Sequence, residues 1–547
     1  MTTRSAGRCH SGSATLVLDA DGFERRTTCR PSTHGAASGW TLAAVGTGVF
    51  MLLLDITIVN VALPDIEQSF GASLSDLQWV ISAYALTLAA FLLTAGSLAD
   101  FYGRRLLFAA GIVIFTVGSL FCGLATGSLF LEISRGAQGV GGAIMFATSL
   151  ALLAQAFQGR DRGVALGIFG AITGIGVAIG PVLGGAITTG LSWRWIFYVN
   201  IPIGIVALLI TMLRVDESRN PKAKRPDWVG FVIFSAGLAG LVYGLIESQR
   251  DGWGSATVIG SLAASTALLA LFLVVERLEA EPMLDLGLLR VPTFDGGLAA
   301  AWAISASLFA LFTYLTIYMQ NSLGLSAVET GIRFLPLTGA IFVSAGIAGR
   351  LTSVVPRRVL IAAGFVLSGA GLMLMRGLTP SSDWTHLLAG MIVSGIGGGL
   401  VSTPLVSTAV GVVEPARAGM ASGINSTLRQ VGIATGVAGL GTILASQVRG
   451  SVLDRLSGTP LADHAHTIAH EISTGGAPQA IATAPAPLRG MVAATARSAL
   501  VQGLNTIMLI AAIVSFAAAA LSFVLIRERD FVTAKESDER PELAVAA

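Results

Sequence analysis

The chain has 547 residues, of which 53% are hydrophobic and only 12% are charged, against roughly 25% charged residues in an average soluble domain. Its mean hydropathy is +0.75. Apolar runs of about 18 to 25 residues recur along it, a length that crosses a bilayer core of roughly 30 Å. This composition excludes a soluble enzyme, and the balance of 34 basic and 32 acidic residues leaves no basic surface for nucleic acid. We therefore predict an all-α polytopic membrane protein that is not an enzyme and whose surroundings are the lipid bilayer.

Residues 1–38 are polar and lack the apolar core and small-residue cleavage site of a signal peptide. We predict that they form a disordered cytoplasmic tail. Cys9 and Cys29 lie in this tail and Cys122 lies in an apolar run, a spacing that fits neither a metal site nor a disulfide framework. No bound metal is expected.

Apolar runs that follow in chain order predict fourteen membrane-spanning helices. Their predicted bounds are 40–63, 79–98, 106–124, 128–152, 163–187, 196–213, 228–246, 258–275, 296–319, 330–348, 358–375, 386–411, 418–445 and 499–526.

The basic residues predict the orientation of these helices. Counted from a cytoplasmic amino terminus, the short connections on the cytoplasmic side hold fifteen Lys and Arg residues, and those on the other side hold three. Because basic residues concentrate on the cytoplasmic side, both termini are predicted to be cytoplasmic, including a second tail at 528–547. The chain is then a multi-pass protein of the cell (plasma or inner) membrane.

An internal repeat divides the chain into two parts. Residues 96–113 align without gaps to residues 349–366 and share an Arg-Arg pair and an Ala-Ala-Gly sequence. The copies are parallel and lie eight helices apart, so two helices at 226–276 are predicted to be inserted between two six-helix bundles. The bundles are predicted at 39–215 and 292–527, the second with a long external loop at 446–498. The alternative is a chance similarity between two arginine turns.

The first copy of the repeat combines glycines, an acid and two arginines: Gly96, Asp100, Gly103, Arg104 and Arg105. Glycines permit a tight cytoplasmic turn, and the Asp100 carboxylate can face the positive end of a helix dipole in the other half. Such a contact would act as a latch that holds the cytoplasmic side shut. In the second copy Ser353 replaces the acid, so the latch is expected on one side only. The alternative is an ordinary basic turn.

Asp55 lies inside the first apolar run, in the sequence Leu54-Asp55-Ile-Thr57-Ile-Val-Asn60. An isolated ionised Asp in a membrane costs about 2.5 to 3.5 kcal/mol, so it should be protonated, paired or exposed to a water-filled cavity. Each of these environments suits a proton-coupling site. The alternative is a helix-packing Asp that is hydrogen-bonded to a neighbour.

Arg135 lies inside the fourth run, with Glu132 three residues before it and Gln138 three residues after it. Arg does not readily lose its proton, so its useful role is to hold a nearby carboxylate charged. Asp55 is the natural partner, because both residues fall toward the outer half of their helices. A local ion pair with Glu132 on the same helix face is the alternative.

The fifth run carries small residues around a proline: Gly176, Gly180, Pro181, Gly184 and Gly185. Small residues allow close helix packing, and the proline frees a carbonyl and bends the helix. By physics alone, this pattern predicts a packing surface.

Together these sequences resemble the signatures of the fourteen-helix drug:proton antiporters of the major facilitator superfamily, over about residues 40 to 527. The segments from Trp193 to Pro202 and from Arg417 to Gly432 match the same branch. The resemblance implies a major facilitator fold, with Asp55, Arg135 and Glu132 in proton coupling. The Gly-Pro-x-x-Gly-Gly order in the fifth run favours an exporter over a nutrient symporter.

The chain contains no Gly-x-x-x-x-Gly-Lys-Ser/Thr sequence, so we expect no ATP cofactor and a proton gradient as the energy source. The leading hypothesis is a proton-coupled efflux transporter of amphipathic antibiotics, drugs or secondary metabolites, functioning as a monomer. A lipid or glycolipid exporter on the same fold is the second hypothesis. A channel or membrane scaffold is the alternative from a different class.

Polar residues in the predicted helices are candidates to line the substrate cavity: Asn60, Gln138, Asn425, Arg429 and Gln430. Aromatic and Met residues along 302–319 are further candidates. Only Asp55 and Glu132 are acids clearly inside the predicted helices, which favours neutral, zwitterionic or monocationic substrates. The three histidines between 464 and 470 fit a solvated loop better than a metal site.

Overall fold

The computed structural model describes residues 15–18, 24–27, 34–157, 159–219, 227–279, 284, 286–352, 354–413 and 418–531. Within these residues, fourteen helical segments are long and apolar enough to cross a membrane. The number predicted from the apolar runs is confirmed.

The amino-terminal bundle is built from α1 (His34–Phe70), α2 (Leu74–Tyr102), α3 (Arg104–Gly123), α4 (Ser128–Ala156), α5 (Gly159–Gly190), the single turn α6 (Trp195–Tyr198) and α7 (Asn200–Arg214). The inserted pair is α8 (Trp228–Asp251) and α9 (Ala256–Leu278).

The carboxyl-terminal bundle starts with α10 (Pro292–Ile304) and α11 (Ala310–Ile317), which form one continuous span with π-helical turns at Ser305–Phe309 and Tyr318–Ser322. The helices α12 (Ala327–Leu351), α13 (Arg357–Met375), α14 (Thr385–Gly411), α15 (Ala418–Leu456), α16 (Ala465–Ser473), α17 (Ala477–Thr483) and α18 (Arg489–Leu525) follow.

Equivalent pairs of helices touch in the two bundles. In the first bundle α2 and α3 pack on α4, and in the second α12 and α13 pack on α14. Likewise α7 packs on α1 and α3, and α18 packs on α10 and α13. The bundles meet through α2 against α15 and α5 against α12, which are also equivalent pairs. The two pseudo-symmetric six-helix bundles expected from the repeat are therefore present.

The starts of α2 and α12 show the same symmetry in local sequence. The Asp76 amide donates to the Ser73 hydroxyl, and the Ser73 amide donates to the Asp76 carboxylate. Ser326 and Glu329 form the same reciprocal capping box before α12. Each box satisfies amides that a helix start leaves without partners, so both helices begin at a fixed residue.

The inserted pair lies outside the junction of the two bundles. Helix α8 contacts both α2 and α15, and the rings of Phe91 and Phe231 lie 4.7 Å apart. The Thr442 hydroxyl of α15 donates to the Leu245 carbonyl of α8 at 2.7 Å. Only 17% of the most apolar part of α9 is buried, so this helix faces outward toward lipid.

Several helices extend further than predicted. Helix α1 continues to Phe70, so Asp65 and Glu67 also belong to a spanning helix, which corrects the expectation that only Asp55 and Glu132 do. Helix α15 continues to Leu456 and α18 begins at Arg489, so the connection predicted as a loop at 446–498 is much shorter. Between them α16 and α17 bury apolar side chains in the core, because an Ala-rich sequence supports helix as well as loop.

The tail predicted to be disordered contains two described strands. β1 (Thr15–Leu18) pairs antiparallel with β2 (Glu24–Thr27), and Thr15 lies opposite Thr27. Thr, Val and Leu favour strands, and the intervening sequence contains Asp21-Gly22, a typical hairpin dipeptide. The expectation of a fully disordered tail is corrected for these eight residues.

Candidate functional site

A buried ion pair lies inside the amino-terminal bundle. Asp55 of α1 is fully buried, and its Oδ2 atom lies 2.6 Å from Nη1 of Arg135 on α4. The Arg135 Nε atom donates to the Val80 carbonyl of α2 at 3.2 Å, and its guanidinium carbon lies 4.2 Å from the centre of the Tyr84 ring. The structure therefore brings together the two residues that were paired on the basis of sequence.

The second oxygen of Asp55 is also occupied. Its Oδ1 atom accepts from the Gln138 amide at 2.8 Å and from the Asn200 amide at 3.2 Å. The same two amides donate to the Ser119 hydroxyl, which itself donates to the Phe197 carbonyl at 2.9 Å. A charge removed from water is tolerable only with such compensation, so these contacts stabilise the ionised pair.

Asn200 and Ser119 are parts of this network that the sequence did not reveal. Asn200 lies in the Trp193 to Pro202 segment, which the sequence analysis connected only with the family resemblance. Both residues are essentially fully buried, with exposures of 1% and 0%. The available signal was a polar Asn that begins the sixth spanning helix directly after an aromatic turn.

Glu132 is not part of the network. It is half-buried near the start of α4, close to Asp76 of α2, and within the described residues it forms no ion pair. Of the two partners considered for Arg135, the structure therefore favours Asp55 over the local acid.

Cavities lie between the two bundles, and one of them adjoins the ion pair. The smaller is lined by Arg135, Tyr84 and Ile56 of the first bundle and by Gln430 of the second. The larger has a volume of about 50 Å³, and its walls include Asn60, Pro181, Phe309, Phe312 and Thr313. Pockets for drug-sized molecules measure roughly 300 to 1,000 Å³, so the larger cavity must widen to accept one.

The other cavity candidates lie in different environments. Gln138 belongs to the ion-pair network and is fully buried. Asn425 is buried in α15, and Arg429 is half-buried there with its guanidinium carbon 5.8 Å from the centre of the Phe309 ring. Among the aromatic residues of 302–319, Phe309 and Phe312 face the cavity, whereas Tyr314 is packed in the core.

Among the residues that the structure describes, hydrogen bonds join the two bundles at the end predicted to be external, called the outer end below. The Gln320 side chain donates to the Val61 carbonyl at 2.7 Å, and the Asn321 side chain donates to Glu67 at 3.1 Å. The Leu74 amide donates to the Thr474 carbonyl, which lies between α16 and α17, at 2.8 Å. These contacts close the outer end in this conformation.

The glycines of α5 form two packing surfaces. A methyl carbon at Gly184 would lie 2.8 Å from the Ile58 side chain of α1, and one at Gly180 would lie 2.7 Å from Cβ of Thr57 and still nearer its hydroxyl. On the other surface, a methyl carbon at Gly185 would lie 2.6 Å from Val328 Cα of α12. Gly176 and Pro181 complete the motif against Leu53 and Gly331. Only glycine permits the approaches at positions 180, 184 and 185, so the motif joins α5 both to its own bundle and to the other one.

The structure describes only part of the predicted latch. The side chain of Asp100, like the whole of Ser353, lies outside the described residues. Gly103 forms the turn before α3 with φ of +118°, which explains a glycine there. Gly96 lies inside α2, and a methyl carbon there would meet no atom within 4 Å, so the idea that Gly96 contributes to the turn is wrong.

The arginine turns contact acids of their own bundles. The Arg105 amide donates to Glu217 at 3.1 Å, at the start of α3, and the Arg105 side chain donates to the Val215 carbonyl. In the second bundle the Arg357 amide donates to Glu528 at 3.0 Å, at the start of α13. Each of these acids follows the last helix of its bundle and accepts from an amide at the start of the third helix of that bundle. The two halves of the molecule therefore share this contact, in which a negative charge lies at the positive end of a helix. The Arg104 amide donates to the Ser218 carbonyl in the same segment.

The three histidines that follow α15 lie apart from the ion pair. His464, His466 and His470 are all exposed at α16. Within the described residues, no group of three His, Cys, Asp or Glu side chains is arranged to hold a metal ion.

Comparison with known proteins gives consistent relatives. The chain is 38% identical over 428 residues to a multidrug resistance protein, Stp, of Mycobacterium tuberculosis, covering 78% of this chain and 80% of that protein. It is 37% identical to the puromycin resistance protein pur8 of Streptomyces alboniger, covering 74% and 81%. It is 32% identical to the tetracenomycin C resistance and export protein of Streptomyces glaucescens, covering 93% and 95%.

Among solved structures, a bacterial homologue of the human lysosomal transporter Spinster, inward-facing and unoccupied, shares the fold with a TM-score of 0.61. The sequence identity is 17%, and the match covers 91% of this chain and 99% of that one. The family model of the Major Facilitator Superfamily matches residues 45–437. With fourteen spanning segments in two equivalent bundles and these relatives, the chain belongs to the major facilitator superfamily, in its multidrug and antibiotic efflux family.

Proposed function

We propose that this chain exports small amphipathic organic molecules across the cell membrane in exchange for protons, and that Asp55 carries the proton. The observation that carries the proposal is the fully buried Asp55–Arg135 ion pair beside a cavity between the two bundles. An ionisable pair buried in a membrane protein costs energy and marks sites of proton or ion movement. The relatives named for drug resistance and antibiotic export support the substrate class.

The contacts of Asp55 suggest how proton uptake affects the cavity. Arg135, Gln138 and Asn200 all donate to the carboxylate. A protonated carboxyl group has one less acceptor position and no negative charge, so it holds Arg135 less strongly. Arg135 also lines the smaller cavity with Gln430 of the second bundle. Proton binding at Asp55 thereby changes the wall of the smaller cavity, where residues of both bundles face the space proposed for the substrate.

The energy of one proton is sufficient for this work. A proton that enters across about 150 mV supplies roughly 3.5 kcal/mol. A hundredfold substrate gradient costs about 2.7 kcal/mol. An exchange of one proton for one neutral molecule can therefore maintain that gradient.

Proton-driven export is tested first in cells that express the chain, by efflux of a panel of dyes and antibiotics including puromycin and tetracenomycin C. Efflux should stop when a protonophore collapses the gradient. The transported compound is then used in proteoliposomes with an imposed pH gradient and a pH-sensitive dye inside.

In the liposomes, Asp55→Asn should abolish uphill transport while leaving binding and downhill exchange partly intact, because the amide keeps the volume but cannot exchange a proton. Arg135→Lys should be partly active, since a compact ammonium group keeps the positive charge but lacks the planar set of donors of the guanidinium group. Glu132→Gln is the matched control, an acid in the same bundle outside the network. Wild-type coupling in Asp55→Asn would refute the assignment and direct attention to Glu132 or to residues outside the first bundle.

A further inference from the structure

In the part of the chain that the structure describes, one cation of helix α15 has no ion-pair or hydrogen-bond partner. Arg429 lies in the spanning part of α15, which runs from Gly423 to Leu456. Within the described residues, no hydrogen bond or ion pair holds its guanidinium group, whose central carbon lies 5.8 Å from the centre of the Phe309 ring. By contrast, Arg135 has a carboxylate, and Arg333 of α12 lies 3.9 Å from Glu329. A charged group inside a membrane protein without a partner is costly and points to a ligand or a functional site.

A second polar group without a partner lies one turn away on the same helix face. Asn425 is 3% exposed, and its amide nitrogen has no acceptor among the described residues. Residues four apart on a helix are neighbours, so Asn425 and Arg429 present hydrogen-bond donors in one direction. Leaving a buried donor unsatisfied costs free energy, which an acceptor brought by a ligand would recover.

A third such group faces α15 from the neighbouring span. Ser305 is fully buried, and its hydroxyl oxygen has no partner among the described residues. Gly432, on the same face of α15 as Asn425 and Arg429, packs against Ser305 and Trp302. Ser305 also begins the π-helical turn that ends at Phe309, and such turns occur frequently at functional sites. All three groups are capable donors.

Phe309 connects this cluster to the substrate cavity. Its ring lies beside the Arg429 guanidinium group and also forms part of the wall of the larger cavity, with Phe312 and Ile433. A ligand whose apolar part lies against Phe309 and Phe312 is therefore next to the unpaired donors. The chemistry that satisfies a guanidinium, an amide and a hydroxyl together is a negatively charged oxygen group.

We propose that Asn425, Arg429 and Ser305 form an anion-recognition site in the substrate cavity, and that the preferred substrates are apolar or aromatic molecules with a carboxylate, sulfonate or phenolate group. The inference rests on the proposed function, because it gives a substrate class to the same cavity. The proposal departs from the neutral, zwitterionic or monocationic substrates expected from sequence. It keeps the zwitterions, adds anions and excludes molecules without a negative group. The substrate class expected from sequence rested on the acidic residues alone, whereas the unpaired group is the cationic side chain of Arg429.

Two fluorescent probes that differ by one anionic group test this site. Anilinonaphthalene sulfonate and phenylnaphthylamine share the same ring system, and only the first carries a sulfonate. Each is titrated into purified full-length protein in lipid nanodiscs, with empty nanodiscs as the blank, and the Kd is measured from the fluorescence increase. The titration uses no gradient, so its result is independent of the proton-coupling assay.

Arg429→Gln should weaken sulfonate binding by at least about tenfold and change the Kd of phenylnaphthylamine by less than about twofold. Asn425→Asp should have the same selective effect, because the new carboxylate occupies Arg429 from one turn away. Arg429→Lys should retain most sulfonate binding, and Arg333→Gln, at an arginine that already has a partner, should behave as wild type.

Two results would overturn the proposal. The first is an unchanged sulfonate Kd in Arg429→Gln. The second is an equal loss of affinity for both probes in Arg429→Gln, together with wild-type Kd values for both probes in Asn425→Asp. That combination would make Arg429 a packing residue and not a charge that recognises the ligand.

Discussion

Replacing Gly185 by Ala should force the outer ends of the two bundles apart. The added methyl carbon would lie 2.6 Å from Val328 Cα and 2.8 Å from the Ala327 carbonyl carbon. Carbon atoms in contact are normally about 3.5 to 4.0 Å apart, so the helices α5 and α12 must separate by about 1 Å. The neighbours are backbone atoms, which cannot turn away as a side chain can. The strain is present only while the outer end is closed.

The size of the effect follows from this overlap. Overpacking of a tight contact costs typically 1 to 3 kcal/mol, which changes an equilibrium constant by about 5- to 150-fold. An outer-open population of about 1% would rise to between about 5 and 60%. The gain in helix propensity from Gly to Ala applies to both conformations and cancels in their ratio.

The assay is a distance measurement between spin labels on the two bundles. Labels are placed by Leu191→Cys and Ser381→Cys, two exposed positions at the outer end, after the native cysteines are replaced by Ser. Gly185→Ala should shift the distance distribution toward longer distances. Gly190→Ala in the same helix is the matched control, because a methyl group there meets no atom within 4 Å. Identical distributions in wild type and Gly185→Ala would refute the argument that close packing closes the outer end.

Three further expectations follow from the structure. Glu217→Ala and Glu528→Ala should each lower the free energy of unfolding by about 1 kcal/mol in detergent, because each removes acceptors at a helix start, and the two losses should add since the sites are distant. Asn200→Leu should destabilise by about 1 to 3 kcal/mol, since Asp55 and Ser119 lose a donor, and an unchanged melting curve would contradict the network. Reporters fused after residue 547 and in the 378–385 loop should give cytoplasmic and external signals respectively, and two signals from one side would contradict the predicted topology.

The sequence was sufficient to predict the number of spanning helices but not their ends. Hydropathy indicates which residues can lie in the bilayer. It does not indicate where a helix ends, because a helix can continue beyond the bilayer into polar sequence. Helix α1 continues through Asp65 and Glu67 to Phe70, and α15 continues to Leu456, because their polar continuations still favour helix. The repeat was sufficient to predict the two bundles, since it fixed which connections are equivalent.

For the candidate site, the sequence indicated Asp55 and Arg135, because charged residues inside apolar runs are conspicuous. Asn200 and Ser119 were missed, since neutral polar residues are common in membrane helices and their partners depend on how each helix is rotated. Arg429 was recognised as polar, but its lack of a partner is a property of the surrounding helices. The spacing of residues along one helix does not show whether the neighbouring helices place a hydrogen-bond acceptor beside it.

The confinement of the Asp55 network to one bundle has an evolutionary consequence. Its side chains come from α1, α3, α4 and α7, whereas Phe309, Phe312 and Ile433 of the cavity wall come from the other half and form no hydrogen bond with it. Substitutions at these apolar positions can therefore reshape the cavity without disturbing any hydrogen bond of the buried acid. A lineage of such transporters can inherit one bundle nearly unchanged and diversify the other, so new chemical specificities can arise by a few changes in the second half of the gene.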